Sequence, residues 1–415
     1  MAVGALRVGI IGCGSAGPAA ALLLATAGHA VELFERAPAL LPVGTGFMLQ
    51  PTGLQVLEVL GLRDAAAAHG APLVGIDAAT DRGRRLLDLR YDDWLPGARA
   101  YGMHRATLLE ILAAALEAAS VPLHTGSDVT GWEADGDARW LCVDGQRQGP
   151  FDLVIIAGGA RSAARGWTGL PHRARPYPWG ALWTIAPDPE RVFTDTLQQV
   201  VRGTHTMVGF LPTGTRGDDS TATPLVSFFY SVRADAEAAV RAAGAEALHA
   251  QIVSLEPRAA PLLETVPIEA WSFAGYLDVV MPRWHGDGWV ALGDAGHAMS
   301  PQLGQGVNLA LWDAWVLAQC LAEHDALDTA LSDYTARRRV HLAFYQRFTR
   351  WLTPFFQSSI PSAGFVRDLA LPLALGIPPL RRQMIRTMAG VKRGFLRRSL
   401  RLSESSISER LRADA

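Results

Sequence analysis

The sequence predicts an α/β protein: a parallel-sheet unit, an antiparallel-sheet domain inserted into it, and a helical C-terminal region. Three observations predict it. A βαβ pattern opens the chain, a similar strand–turn–helix returns after residue 281, and strand-like aromatic segments lie between them.

Leu6–Gly12 is a short apolar strand, Ser15–Ala27 an alanine-rich helix and His29–Glu35 a second strand. Helical apolar spacing marks Thr52–Leu60 and Arg105–Ala119. Asp152–Ala157 is an almost unbroken apolar run, as expected of a strand covered on both faces. Beyond Pro176 the texture changes. Trp179–Ala186, Thr204–Leu211 and Leu225–Val232 are rich in aromatic and β-branched residues, with turn-forming stretches such as Pro212–Ser220 between them. These predict an antiparallel sheet, with a helical insert at Ala234–Leu255. Gly288–Leu292 returns to a buried strand, Gly304–Leu321 to a long helix, and the chain after Leu331 reads as helical. The expected organisation is a discontinuous first domain (residues 1–175 and 281–330), an inserted domain (176–280) and a C-terminal region (331–415).

At 415 residues with 49% hydrophobic and 19% charged side chains, the chain has ample material for a core. A net charge of −2 gives no whole-protein attraction for nucleic acid. Three scattered cysteines (Cys13, Cys142, Cys320) provide neither a disulfide framework nor metal-ligand spacing, which points to a reducing cytoplasm. The first residues lack the pattern of a signal peptide, and apolar runs stop short of the roughly 20 residues of a membrane span.

Two motifs carry chemistry. Gly12-Cys13-Gly14-Ser15-Ala16-Gly17 is a GxGxxG between strand and helix. Gly12 permits the tight turn, Gly14 lets backbone approach a pyrophosphate, and Gly17 lets helix and strand pack. The N–H groups at the helix start, including those of Ser15 and Ala16, attract phosphate. Glu35 ends the next strand, where its carboxylate accepts ribose hydroxyls; this favours FAD or NAD over a 2′-phosphorylated dinucleotide. The second motif separates these two. Asp294 follows the Gly288–Leu292 strand, and Pro301, Gly304, Gln305, Gly306, Val307 and Asn308 open the long helix. An acid there suits ribityl hydroxyls, and a second glycine-rich helix start suits the electron-rich edge of a flavin. Two such turns, so far apart in sequence, fit FAD.

With these motifs the chain resembles the class A FAD-dependent aromatic monooxygenases of the para-hydroxybenzoate hydroxylase type. The likeness rests on GCGSAG, Glu35-Arg36, the His104–Leu108 helix start, Asp152–Arg165 and the stretch from Gly293 to Ala314, and covers about Arg7 to Leu321. It implies a Rossmann-like FAD-binding domain, an inserted substrate domain, NAD(P)H as electron donor, and hydroxylation or epoxidation of an aromatic or polyketide-like molecule by O2 through a flavin hydroperoxide. It also implies that Arg36 belongs to the dinucleotide site, Arg105 lies by the pyrophosphate, Val129 packs by the adenine and the loop with Gly46 lies near the flavin ring. One position departs from the pattern: Gly158 stands where the family's middle motif has aspartate, while Arg161, Ser162 and Arg165 are kept. An oxidase or dehydrogenase on the same fold therefore stands as the alternative. A halogenase fits poorly, since its tryptophan motif is missing and the one lysine, Lys392, lies far from the flavin motifs.

No side chain is singled out as catalytic. Trp179, Ala181, Trp183 and Ile185 share one strand face; Thr206, Val208 and Phe210 another; Val226, Phe228 and Tyr230 a third. Any of these could line a substrate pocket or simply fill a core. His205 and Tyr230 could orient a phenol, with surface or core duty as the plainer reading. Arg381, Arg382, Arg386, Lys392, Arg393, Arg397, Arg398 and Arg401 follow the apolar, proline-broken Phe365–Leu380 stretch. A solvated helix face, a peripheral contact with an anionic membrane and a partner site all suit them.

Overall fold

The computed structural model describes residues 2–40, 45–216, 223–394, 399–400 and 402. A six-stranded sheet runs in the order His285–Gly286, Trp289–Ala291, Leu153–Ile156, Arg7–Ile11, Ala30–Glu35, Leu123–Thr125. All neighbours are parallel except the first pair. Val8, Ile10, Leu153, Val154, Ile155, Ile156 and Val290 are fully buried, because helices cover one face of the sheet and the antiparallel strands Val129–Asp135, Ala138–Val143 and Gln146–Phe151 pack on the other. The Ala16–Thr26 and Gly306–Glu323 helices pack on each other against it. Arg7–Ile11 lies between Ala30–Glu35 and Leu153–Ile156, so successive crossovers leave it in opposite directions. That reversal opens a crevice beyond the carboxyl ends of the strands, at Ile11, Glu35, Ile156 and Ala291.

A seven-stranded sheet follows the order Ser272–Val280, Arg173–Pro187, Leu225–Arg233, Thr206–Gly214, Thr196–Arg202, Gly75–Thr80, Arg85–Arg90. It is antiparallel except where Thr196–Arg202 meets Gly75–Thr80. Its last two strands come from the N-terminal part of the chain, well before the expected insertion at residue 176. Strand alternation divides its side chains. Leu182, Val208, Phe210, Val226, Phe228 and Tyr230 pack against Leu248, Ile252 and Leu263 of the insert helices Gly244–Leu255 and Ala260–Leu263. The opposite face presents Ala181, Trp183, Met207 and Phe229, met by Leu352, Phe355 and Phe356.

The expected helical insert, Ala234–Leu255, is two helices, Glu237–Ala242 and Gly244–Leu255; Gly244 at φ +84° breaks the continuity. Helices Leu327–Phe356, Pro361–Leu375 and Pro378–Met388 form the C-terminal region. The first, about 45 Å long at 1.5 Å per residue, ties the two sheets together. Near one end Tyr334 donates to the carbonyl of Ala291 at 3.1 Å; near the other, Arg350 pairs with Asp278 at 2.9 Å. Of the expected turn Pro212–Ser220, residues 217–220 lie outside the described residues, as do Arg397, Arg398 and Arg401 of the basic segment.

A β-carbon added at Gly209 would overlap the Phe229 ring of the neighbouring strand. Gly209→Ala should therefore cost about 1–3 kcal/mol through overpacking, read as a lowered midpoint in urea denaturation; an unchanged midpoint would contradict this packing.

Candidate functional site

The predicted dinucleotide residues converge at the crevice. Gly12 has φ +103°, and a β-carbon there would come within 2.7 Å of the Cα of Gly158. One at Gly17 would overlap the carbonyl of Gly12, so strand, turn and helix meet backbone to backbone. Gly14 is exposed with open space beside it. No side chain caps the Ala16–Thr26 helix, which leaves its first N–H groups, starting beside the half-buried Ser15, directed into the crevice. Glu35 is held against this loop: its two oxygens accept the Cys13 N–H at 2.8 Å and the Ala37 N–H at 2.9 Å. Each oxygen keeps acceptor capacity for a hydroxyl. Arg36 next to it is exposed. Ser127 donates its N–H to the Glu35 carbonyl at 2.9 Å, which brings the chain entering Val129–Asp135 alongside; Val129 itself is buried.

The second bend packs on the first. Gly293, at φ +60°, has room for a β-carbon only 3.0 Å from Ala310 Cβ and 3.5 Å from Ala16 Cβ. Asp294 is exposed, and a β-carbon at Gly306 would stand 3.8 Å from its Oδ1, so the carboxylate overlooks the amino end of the Gly306–Glu323 helix. Pro301, Gly304 and Gly306 are exposed along this lip, with Val307 half-buried. Asn308 and Gln305 are buried. The Asn308 amide accepts the Gln50 N–H at 2.8 Å and donates to the Met48 carbonyl at 2.9 Å; Gln305 donates to the Met388 carbonyl at 2.6 Å. Both brace the lip from behind through their side chains, leaving backbone groups to face the crevice.

Beneath the second bend lies a buried polar network that the sequence did not reveal. Asp313 accepts from Gly293 N–H at 2.7 Å, His297 Nε2 at 2.6 Å and Arg338 Nε at 2.5 Å. Arg338 reaches on to His341 Nδ1, and His341 Nε2 donates to the Gly390 carbonyl at 2.8 Å. Burial pushes the Asp313 carboxyl up, but His297, Arg338 and the Gly293 N–H outweigh it and hold it down at about 2. Burial and the Arg338 guanidinium keep His341 well below the usual imidazole range. The spacing Gly293, His297, Asp313 was visible as part of one motif; Arg338 and His341, on another helix, gave no signal.

The Trp183 face of the seven-stranded sheet, packed on Leu352, Phe355 and Phe356, also meets the N-terminal part of the chain. Gly46 reaches it from the short Gly46–Leu49 strand: its N–H donates to Ser227 Oγ at 3.0 Å, and a β-carbon would collide with Thr213 and Ser227. Trp183 and Phe229 lie with ring centroids 5.1 Å apart. Trp183 Nε1 donates to the Tyr276 hydroxyl at 3.4 Å, which leaves the phenol proton for another acceptor. Burial raises Tyr276 to about 12, against the opposing pull of the Trp183 bond and the Arg105 charge, so the phenol is neutral at physiological pH. Arg105, exposed at the start of the Arg105–Ala118 helix, thereby lies within electrostatic reach of the inserted sheet. Tyr276 was missed because its strand, Ser272–Val280, interleaves glycine and aspartate with its apolar residues. Of the faces read from sequence, those of Val208–Phe210 and Val226–Tyr230 are core under the insert helices. Tyr230 bonds Gln251 there at 2.6 Å, and His205 is an exposed turn residue. A groove of about 560 Å3 beside Leu40, Leu109, Glu110 and Ala113 contains none of the crevice residues singled out by the motifs.

Comparison with known proteins decides the family. The family described as "FAD binding domain" matches residues 5–349. The chain is a member of the para-hydroxybenzoate hydroxylase-like FAD-dependent monooxygenases. The aurachin C monooxygenase/isomerase of Stigmatella aurantiaca is 30% identical over 345 residues, covering 80% of this chain and 85% of that protein. The 3-amino-4-hydroxybenzoate 2-monooxygenase of Streptomyces cremeus is 30% identical over 377 residues, 85% and 88% of the two chains. Among solved structures, Klebsiella pneumoniae HpxO complexed with FAD and uric acid superposes with a TM-score of 0.78 at 22% identity, over 93% of this chain and 97% of that one. This flavoprotein is therefore an oxidoreductase whose cofactor is FAD, with NAD(P)H the donor typical of the family and O2 the co-substrate. The monooxygenase character of these relatives weighs against the oxidase alternative. Among the described residues no single helix is long and apolar enough to cross a membrane.

Loss of the Asp313 network should unseat the second bend. Because the folded-state carboxyl lies below the ordinary carboxylate value of about 3.9, its contribution is complete above about pH 4 and disappears as pH falls towards 2. Asp313→Ala should cost about 3–5 kcal/mol, as when one partner of a buried ion pair is removed. It should also flatten the acid limb of a stability–pH curve measured by chemical denaturation.

Proposed function

We propose that FAD lies extended along the crevice. Glu35 and Val129 would hold the adenosine end, while Gly12, Gly14, Ser15, Ala16 and Gly17, helped by Arg36 and Arg105, would hold the pyrophosphate. Asp294 would take the ribityl chain, and Pro301, Gly304, Gln305, Gly306, Val307 and Asn308, with Gly46, would frame the flavin ring. One observation carries this: two carboxylates, the half-buried Glu35 and the exposed Asp294, stand at glycine bends that pack on each other, beside an uncapped helix start. These are the donors and acceptors a dinucleotide needs, and the crevice walls are bare backbone where a long ligand must lie flat.

The substrate we infer is a small aromatic or hydrophobic molecule placed between the Pro301–Gly306 lip and the Trp183, Phe229 and Tyr276 face. Bound FAD, reduced by NAD(P)H, supplies the chemistry that transfers one oxygen atom of O2. This chain's own residues do the rest. Trp183 and Phe229 offer flat apolar surface that stacks an aromatic ring and excludes water. Tyr276, neutral and held by Trp183, donates its hydroxyl hydrogen to a polar atom of the substrate and so fixes which carbon faces the lip. The domain division that follows places residues 1–175 and 281–330 around FAD. Residues 176–280 then form the substrate cover, to which Gly75–Arg90 contribute two strands, and the described residues from 331 onward form the brace. Three free cysteines suit a cytoplasmic setting.

Glu35→Ala and Asp294→Ala should each weaken FAD retention by about ten-fold, the worth of one or two charge-assisted hydrogen bonds; the absorbance of the purified variants measures it. Tyr276→Phe should raise KM or uncouple NAD(P)H oxidation from product formation while leaving flavin content intact. Anaerobic mixing with NADH and with NADPH should bleach the flavin. If both fail and an aromatic substrate alone bleaches it, the oxidase takes the place of the monooxygenase.

A further inference from the structure

The Pro361–Leu375 helix is apolar on its outward as well as its inward side, where Leu371 and Leu375 pack on the core. Its inward side carries Gly364, against Thr204, and Arg367, which is buried and donates to the carbonyls of Gly203 at 2.8 Å and Phe355 at 2.9 Å. Its outward side carries Phe365, Leu369 and Leu373, spaced i, i+4, i+8, with Val366 beside them. Phe365 is 73% and Leu373 65% exposed. The same stretch accounts for eight of the ten large apolar side chains exposed among the described residues, all between Trp351 and Leu380. Scattered single exposures need no explanation; a contiguous one does.

Charge is segregated in the same place. Between Trp351 and Leu402 the sequence has nine arginines and lysines and one acid, Asp368, in a chain whose net charge is −2. Some of the cations are engaged elsewhere: Arg367 with Asp368, Arg381 with Asp93, and Lys392 with Gln383. Arg382 is exposed and Arg386 and Arg393 are half-buried, just past the exposed apolar tip Ile377–Leu380. The Pro361–Leu375 and Pro378–Met388 helices meet at 106°, so the apolar tip forms a corner. A corner of exposed aromatic and branched side chains followed by arginines is the arrangement that enters the headgroup region of a bilayer while cations meet anionic lipid.

We propose that this corner, Phe365, Leu369, Leu373 and Ile377 with Arg382, docks the protein on anionic membrane surfaces. The docking is peripheral and does not depend on the reaction. Flotation of the full-length, FAD-loaded protein with phosphatidylcholine vesicles, with and without phosphatidylglycerol, tests it. At low salt the protein should float with the anionic vesicles and be released by high salt. The double variant Phe365→Asp/Leu373→Asp should lose binding by about ten-fold or more. Its flavin absorbance and thermal midpoint should stay at wild-type values, since both side chains already face solvent. Arg382→Glu should weaken binding to anionic vesicles only. No flotation at low salt, or equal flotation of the double variant, overturns the proposal. So does a wild-type dimer in light scattering that the double variant dissociates while neither floats, which would give the corner to a second copy of the chain.

Discussion

Everything in this molecule depends on a backbone-to-backbone contact between glycine bends. Gly12 approaches Gly158 so closely that a β-carbon would sit 2.7 Å from its Cα, and Gly293 is packed between Ala310 and Ala16. Hydrogen-only positions let three strand ends and two helix starts share one small volume. Helix starts carry unpaired N–H groups and partial positive charge, and strand ends here carry the carboxylates Glu35 and Asp294. The contact that makes the fold compact at this point therefore also leaves backbone groups open to the crevice, with no side chain capping the Ala16–Thr26 helix start.

Such a surface is only useful if the bends hold still. The first is held locally, by the Glu35 carboxylate on the Cys13 and Ala37 N–H groups. The second is held from a distance. Asp313 fixes Gly293 and His297, Arg338 fixes Asp313, and His341 and Gln305 fasten the group to the Met388–Gly390 segment near the end of the described chain. A buried ionic cluster of this kind contributes little net stability compared with apolar packing, but breaking it leaves an uncompensated charge. Its effect is to allow one arrangement of the bend and penalise the others. The C-terminal helices, remote from any glycine motif, thus belong to the same mechanical unit as the crevice.

The inserted sheet shows how strand alternation divides labour. Leu182, Val208, Phe228 and Tyr230 point to the insert helices and make a core, whereas Trp183, Met207 and Phe229, their immediate neighbours in sequence, point to the opposite face, against Leu352, Phe355 and Phe356. A one-residue slip would exchange the two sets. The register is locked by Gly209, which yields its side-chain space to the Phe229 ring, and by Ser231 Oγ accepting the Met207 N–H at 2.8 Å.

By itself the sequence determined the βαβ opening, both glycine bends, the strand ends where Glu35 and Asp294 stand, the antiparallel sheet and the cofactor class. These are local patterns, where a few consecutive residues carry the whole physical requirement, and they were legible for that reason. Tertiary structure alone decided what depends on packing between distant segments. It chose which face of the inserted sheet meets the insert helices and which meets the Leu327–Phe356 helix, and joined Gly75–Arg90 to that sheet. It gave Tyr276 a tryptophan partner and a raised pKa. It also turned the Asn308 and Gln305 amides away from the crevice to brace the lip, and left the Phe365–Leu373 face of a C-terminal helix outward although its residues are those of a core. Periodicity reveals that a helix or strand has two faces; only the neighbours it meets determine which face is covered.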